Sequence, residues 1–380
     1  MNIRMSLALM AGMGFGQSAF ANTIHVCPTC AHTTIQAAVS DAVSGDSILI
    51  AAGRYTENIT IEDKQLTLQG ALGGTSGVTE VDAAGRGPVF VLGSGVAGAT
   101  PELIEIHNLV IAQGHHTGGT GVGGGVQVRA GAYLHIFDST ISRNIASVGG
   151  GIGVNTPNAP QTTITNCLIS ENLALPDPTV INAVADMTRG GGVAVAAGSV
   201  SIQESTVSRN QATGNGGGIA ADESTTLSAA GSTISENSTF SITDSSGVSA
   251  GIGGGMFLVG DFTISGSSIT NNLASGETAE AGGLLAFMSD RGVHAITNTI
   301  ISRNSVTGPS RPFCISGVSA GGICVTSTSN ANVFTLNNVY IVENLAGGGL
   351  VTTDGVVLKL SNTTIRDNVG GNCLGPACPP

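Results

Sequence analysis

Two short motifs alternate through most of this chain, and the spacing between them constrains the fold more than any other feature. The first is a short apolar run ending in asparagine. It occurs as STISRN, CLISEN, STVSRN, STISEN, SSITNN, TIISRN, VYIVEN and TTIRDN, closing on Asn144, Asn172, Asn210, Asn237, Asn272, Asn304, Asn344 and Asn368. The second is a glycine run followed by small aliphatic residues, ending at Gly125, Gly151, Gly192, Gly218, Gly255, Gly283, Gly322 and Gly349. From each of these glycines to the next motif asparagine there are 19, 21, 18, 19, 17, 21, 22 and 19 residues. From each asparagine to the last glycine of the next run there are 7, 20, 8, 18, 11, 18 and 5. One arc is fixed and the other is free. A unit this short cannot bury its own apolar face, so it must stack on its neighbours as a solenoid.

The fixed arc alternates apolar and polar residues, with Leu134, Ile136 and Ile141 matched by Val200, Ile202 and Val207. Period two specifies strand, and stacked parallel strands bury one face while exposing Ser, Thr, Gln and Glu on the other. Asparagine tolerates a left-handed backbone and bonds its own turn, so the eight asparagines are expected at equivalent turns as a ladder of amides. Glycine runs allow close backbone approach at the next corner. No copy carries an apolar 3.6-residue period long enough for a helical repeat. The fold class is therefore all-β, a single right-handed parallel β-helix of about ten coils and about 50 Å. Before it, Thr33 and Gln36 match a capping box, with Ile35, Ala38, Val39 and Ala42 on one helical face and Gly45 as the stop. That predicts an N-terminal amphipathic helix cap over the open end of the core.

The repeat, seen as ISRN…GGGI at 141–152 and VSRN…GGGI at 207–219, resembles that of the chlamydial polymorphic outer-membrane proteins over about residues 123–370. The stretch TTIQAAVSDAVSGDSILIAAGRYTENITI is similar to the N-terminal cap of pectin-lyase-like β-helix proteins. That superfamily includes polysaccharide lyases, esterases, epimerases and noncatalytic members, so the resemblance implies a fold before it implies an activity.

The start MNIR, an apolar stretch and Ala19-Phe20-Ala21 read as a signal peptide over residues 1–21. The organisation that follows is an N-terminal cap with first coils at 22–70, the β-helix at 71–368, and a disulfide-tied C-terminal tail at 369–380. No transmembrane segment is expected in the mature chain. A secreted or cell-surface location, periplasmic or extracellular, makes disulfides available to the seven cysteines. Proximity pairs Cys27 with Cys30, Cys314 with Cys324 and Cys373 with Cys378, leaving Cys167 free and buried in a repeat. For the CPTC motif, a redox role and zinc binding with His25 or His32 stand beside the structural bridge.

A net charge of −12 argues against nucleic acid or an anionic polysaccharide as an electrostatically steered partner. The chain offers no Asp-Asp pair, Gly-His-Gly, Gln-Asp dipeptide or Asp-rich calcium repeat, so no catalytic, cofactor or metal residue is assigned. The remaining candidates are His115 with His116 in a glycine-rich loop, Arg143 with Arg209 and Arg303, and Asp138 with Glu204. The arginines and acids recur at one repeat position each, which marks architecture. The reading leans towards a noncatalytic, adhesin-like protein that meets a host-cell, matrix or glycan surface. The alternative is a divergent polysaccharide-active enzyme. The three longest insertions, 173–189, 238–252 and 305–320, are expected to leave the rod on one side and to carry recognition.

Overall fold

The computed structural model describes residues 21–73, 77–117, 121–158, 160–176, 188–240, 243–244, 247–248, 251–276, 279–288, 292–308, 314, 319–327 and 332–379. Residues 1–21, read from the sequence as a signal peptide, lie outside them apart from Ala21. One coil shows the plan of all: Ile152–Asn155, Thr162–Thr165, Leu168–Ser170 and Leu173–Ala174 are four short strands in succession. Each pairs in parallel with its counterpart one coil on, and these stacks are called faces one to four in that order. Faces one and two form a continuous 22-stranded sheet, joined around the corner by the 11-residue strand Val193–Gln203. Among the described residues face three has 11 strands and face four has 7. Among the described residues the antiparallel exception is the pair Thr243–Asp244 and Gly247–Val248, within an insertion.

Alternation makes the core. Ile48, Leu68, Ile106, Ile136, Ile164 and Ile202 lie in register on successive coils, each with no exposed surface. Each such side chain contributes about 1.5–3 kcal/mol by leaving water. Thr162 and His294 interrupt the neighbouring inward column. His294 meets Phe262 edge-on, with ring centroids 5.5 Å apart.

The helix Ile35–Asp41 buries Ile35, Ala38 and Val39 in the same core cluster. Its cap is Thr34, whose side chain accepts from Ala37 N, and not Thr33. Thr34 directly precedes the first buried helical residue. Gln36 bonds Thr60 of a neighbouring strand, while the Glu57 carboxylate accepts from Ile35 N and Gln36 N. The helix ends at Asp41, before Gly45.

The asparagines stack as an internal ladder. Asn210 Nδ2 donates to Asn237 Oδ1 at 3.0 Å and to Ile169 O at 2.9 Å, and Asn210 Oδ1 accepts from both N and Nδ2 of Asn172 at 3.0 Å. The same pattern joins Asn144, Asn172, Asn210, Asn237, Asn272, Asn304, Asn344 and Asn368. The left-handed backbone that the sequence assigned to these asparagines belongs to the residue before each of them: Arg143, Glu171, Arg209, Glu236, Asn271, Arg303, Glu343 and Asp367 have φ of 55–59°. That twist turns the following amide inward, where the next coil satisfies it. The terminal glycine of each run lies over this ladder. A Cβ on Gly192 would stand 2.8 Å from Gly218 O and 3.0 Å from Asn210 Nδ2, which is why the two motifs occur together.

A second ladder lines the corner between faces two and three. Cys167 N, Ser205 N and Ser232 N donate to Ser205 Oγ, Ser232 Oγ and Ser267 Oγ at 3.0–3.2 Å. Cys167 occupies a hydroxyl position in it, and burial pushes its thiol up to about 12.

Candidate functional site

On face two the outward side chains are chemically divided. The first five strands are Thr23–Val26, Ser47–Ile50, Leu66–Gln69, Glu102–His107 and Ala132–Phe137. Their register sets one outward column of His25, Leu49, Gln69, His107 and Phe137, and beside it a second of Thr23, Ser47, Thr67, Glu105 and His135. Beyond Phe137 the first column continues as Thr165, Gln203, Ala230, Ser265 and Thr297, all small or polar. A chain with 3% aromatic residues thus places an aromatic cluster on two adjacent strands. His107 stacks on Phe137 with centroids 4.7 Å apart, His135 meets Phe137 edge-on at 6.3 Å, and Tyr133 meets His135 at 5.6 Å. All four rings are half-buried. The Glu105 carboxylate accepts from Thr67 Oγ1 at 3.2 Å.

At the other end of the column lies a groove of about 610 Å³, where the chain turns off the face. His25, Leu49, Gln69 and Leu72 line it together with the Cys27–Cys30 bridge. Leu72 is 85% exposed beside it. The bridge engages both thiols of CPTC, which removes them as zinc ligands. Among the described residues no group of three His, Cys, Asp or Glu could hold a metal ion.

The candidates read from the sequence lie elsewhere. His115 and His116 form the first strand of face four, paired with Ile145 and Ala146, and are not part of a free loop. His116 Nδ1 lies 3.1 Å from Val122 O, so strand pairing and this contact fix the second imidazole. Arg209 and Arg303 pair with glutamates of neighbouring coils, Arg303 with Glu343 at 3.2 Å and Arg209 with Glu171 at 3.9 Å, and Arg143 holds the same turn position with φ of 57°. Such exposed pairs contribute little each. Asp138 and Glu204 hold the left-handed turn between faces two and three, with φ of 49° and 48°. Asp138 there accepts from Asn166 Nδ2 at 2.6 Å.

The insertions occupy one corner. Their exits stand on a register of Ala146, Ala174, Ala212, Thr239 and Ala274 on face four. Their returns stand on bridges linking Val148, Arg189, Asn215, Ile252 and Glu280. Most of the three long insertions falls outside the described residues. At one root Arg189 pairs with Asp222, whose carboxyl burial raises and the guanidinium partly lowers. At another, buried Glu280 accepts from Cys314 N at 3.2 Å, beside the Cys314–Cys324 bridge. The third bridge, Cys373–Cys378, ties the tail, and Cys167 is buried and unbridged. No helix among the described residues is long and apolar enough to cross a membrane.

The outward cluster escaped the sequence because Tyr133, His135 and Phe137 alternate along one strand while His107 lies 30 residues before Phe137, with no motif to pair them. Only the register aligns them. The chain is poor in aromatics, and the structure sets Tyr133 and Phe137 beside His107 and His135.

No curated protein matches this chain. Among solved structures, pectate lyase Pel9A is similar at 12% identity with a TM-score of 0.46, over 92% of this chain and 80% of that one. A likeness at that level carries no argument about activity. The family model for the right-handed β-helix region matches residues 29–238, more than half of the chain. With its parallel four-stranded coils, this chain belongs to the right-handed β-helix family.

Proposed function

We propose that this is a secreted, noncatalytic β-helix that attaches to a surface through the outward side of face two. The observation that carries this reading is the confinement of outward aromatic and imidazole rings, among the described residues, to the first five strands of that face, with a groove at the far end of their column. Large, half-buried rings beside convergent polar groups are what a binding site requires, and a purely structural face has no use for them. The disulfides suit an oxidising compartment. The helix Ile35–Asp41 serves as the lid of the N-terminal end, and the polymorphic outer-membrane repeat supplies the stacking rule. The insertions add a second, variable surface at their own corner.

The test uses the mature protein and its Phe137→Leu/Tyr133→Leu variant, each checked for native circular dichroism. Retention on cells, matrix and insoluble polysaccharides is measured together with release of reducing ends. Binding without product, lost in the variant, is expected. Unchanged binding by the variant overturns the assignment to face two.

One observation favours the polysaccharide-active reading. Glu105 and His135 are register neighbours on adjacent coils, with His107 alongside, and an imidazole next to a carboxylate is an acid–base pair in kind. Product release abolished by Glu105→Gln would replace the binding reading with that one.

A further inference from the structure

The ligand of this face follows from its charge and its length, and the inference rests on the binding reading just given. We propose that the outward column His25–Leu49–Gln69–His107–Phe137 is a subsite row for an uncharged oligosaccharide lying along the rod axis.

The row spans four strand intervals, or about 19 Å at ~4.8 Å each. A compact ligand would engage one or two positions. An extended chain of repeating units can engage all five, from the groove beside Leu49 and Leu72 to the rings at Phe137. Apolar and polar side chains are mixed along this path and beside it. Leu49, Leu72, Phe137 and Tyr133 offer apolar surface, while His25, Gln69, His107 and His135 offer nitrogen donors and acceptors. Sugars have the same duality, with apolar C–H faces and hydroxyl edges, and amphipathic side chains suit such ligands.

Charge then selects among sugars. The five strands contain two carboxylates, Glu102 and Glu105, and no lysine or arginine. The cations nearest in sequence are engaged elsewhere. Lys64 Nζ donates to Val39 O and Ala42 O, Arg54 pairs with Asp82, and Arg129 bonds Gly93 O and Glu62. The whole chain carries a net charge of −12. A polyuronate or sulfated glycan brought to this face would place like charges against Glu105 without a compensating cation, which disfavours it. An uncharged chain meets no such barrier.

The experiment is titration calorimetry of the mature protein with cellohexaose, xylohexaose, chitohexaose and hexagalacturonate, repeated with Phe137→Leu and with Thr297→Ala. Thr297 lies further along the same column, outside the cluster. The expected result is binding of at least one neutral hexamer, weakened ten-fold or more by Phe137→Leu and unchanged by Thr297→Ala. Dimers of that sugar should bind far more weakly than the hexamer. Tighter binding of hexagalacturonate than of every neutral hexamer overturns the charge argument. Equal affinity for dimer and hexamer overturns the row. If no hexamer binds while surface retention is still lost with Phe137 and Tyr133, the sugar assignment fails and the binding reading stands. If retention survives those changes, the assignment of binding to face two fails, and the row with it.

Discussion

Cutting the amide ladder in the middle should cost several times as much as cutting it at the end, because water can repair one break and not the other. In Asn210→Ala the acceptor Oδ1 disappears from a site with no exposed surface. Asn172 N loses its acceptor at 3.0 Å, and Asn172 Nδ2 loses one of its two, the other being Ile141 O. Ile169 O loses a donor at 2.9 Å. Two buried donors without acceptors cost about 1–3 kcal/mol each, so the variant should lose roughly 2–6 kcal/mol. In Asn368→Ala the bonds lost from Asn344, at 3.1 Å from N and 2.8 Å from Nδ2, lie at the half-buried final turn. Solvent takes over there, and the loss should be about 1 kcal/mol or less. Urea unfolding followed by circular dichroism gives both values. Amide exchange of Asn172, measured by mass spectrometry, should quicken only in Asn210→Ala. Equal destabilisation by the two variants would refute the claim that the ladder works by satisfying groups that water cannot reach.

Gly192→Ala should destabilise by about 1–3 kcal/mol, since its Cβ would press on Gly218 O and Asn210 Nδ2; an unfolding midpoint equal to that of the parent removes the close-approach argument. Cys167 has its folded-state pKa raised from 9.0 to about 12, so its contribution is complete below pH 9 and is lost as pH rises towards 12. Cys167→Ser should therefore flatten that alkaline loss while keeping near-parental stability at pH 7, as a hydroxyl continues the corner ladder; an unaltered alkaline slope rejects this. Grafting the Thr213–Gly214 connection between Ala174 and Arg189 should leave the melting temperature within a few degrees. Ala174 is in register with Ala212 and Arg189 bridges Asn215, so the short link has the right ends; failure to unfold cooperatively counts against a common exit corner.

Repetition decides what could be read from the sequence. Wherever a position recurs, as with Asn144 and Asn172, Arg143 and Glu171, or Ser139 and Ser205, it describes the coil, because each copy must meet its neighbour in the same way. The fold was legible for that reason, down to the fixed arc through faces one to three and the free arc after face four. The mechanism at the asparagine was not, because the letter that marks the turn is one residue away from the one that twists. The hydroxyl ladder was legible in principle, in the first letter of STISRN. The candidate site was not, because it consists of a break in recurrence: the outward column changes from His107 and Phe137 to Thr165, Gln203 and Ala230. Such a break becomes visible only when coils of unequal length are set in register, since Gln69 and His107 are 38 residues apart while His107 and Phe137 are 30. In a solenoid the scaffold is what repeats, and a site is where an outward column stops repeating without any loss of inward packing. Ile106, Ile136 and Ile164 stay fully buried beneath the break. The outward positions take no part in that packing and are free to change over a constant core, so the proposal of a partner rests on the rings gathered there, His107 stacked on Phe137 with Tyr133 and His135 beside them.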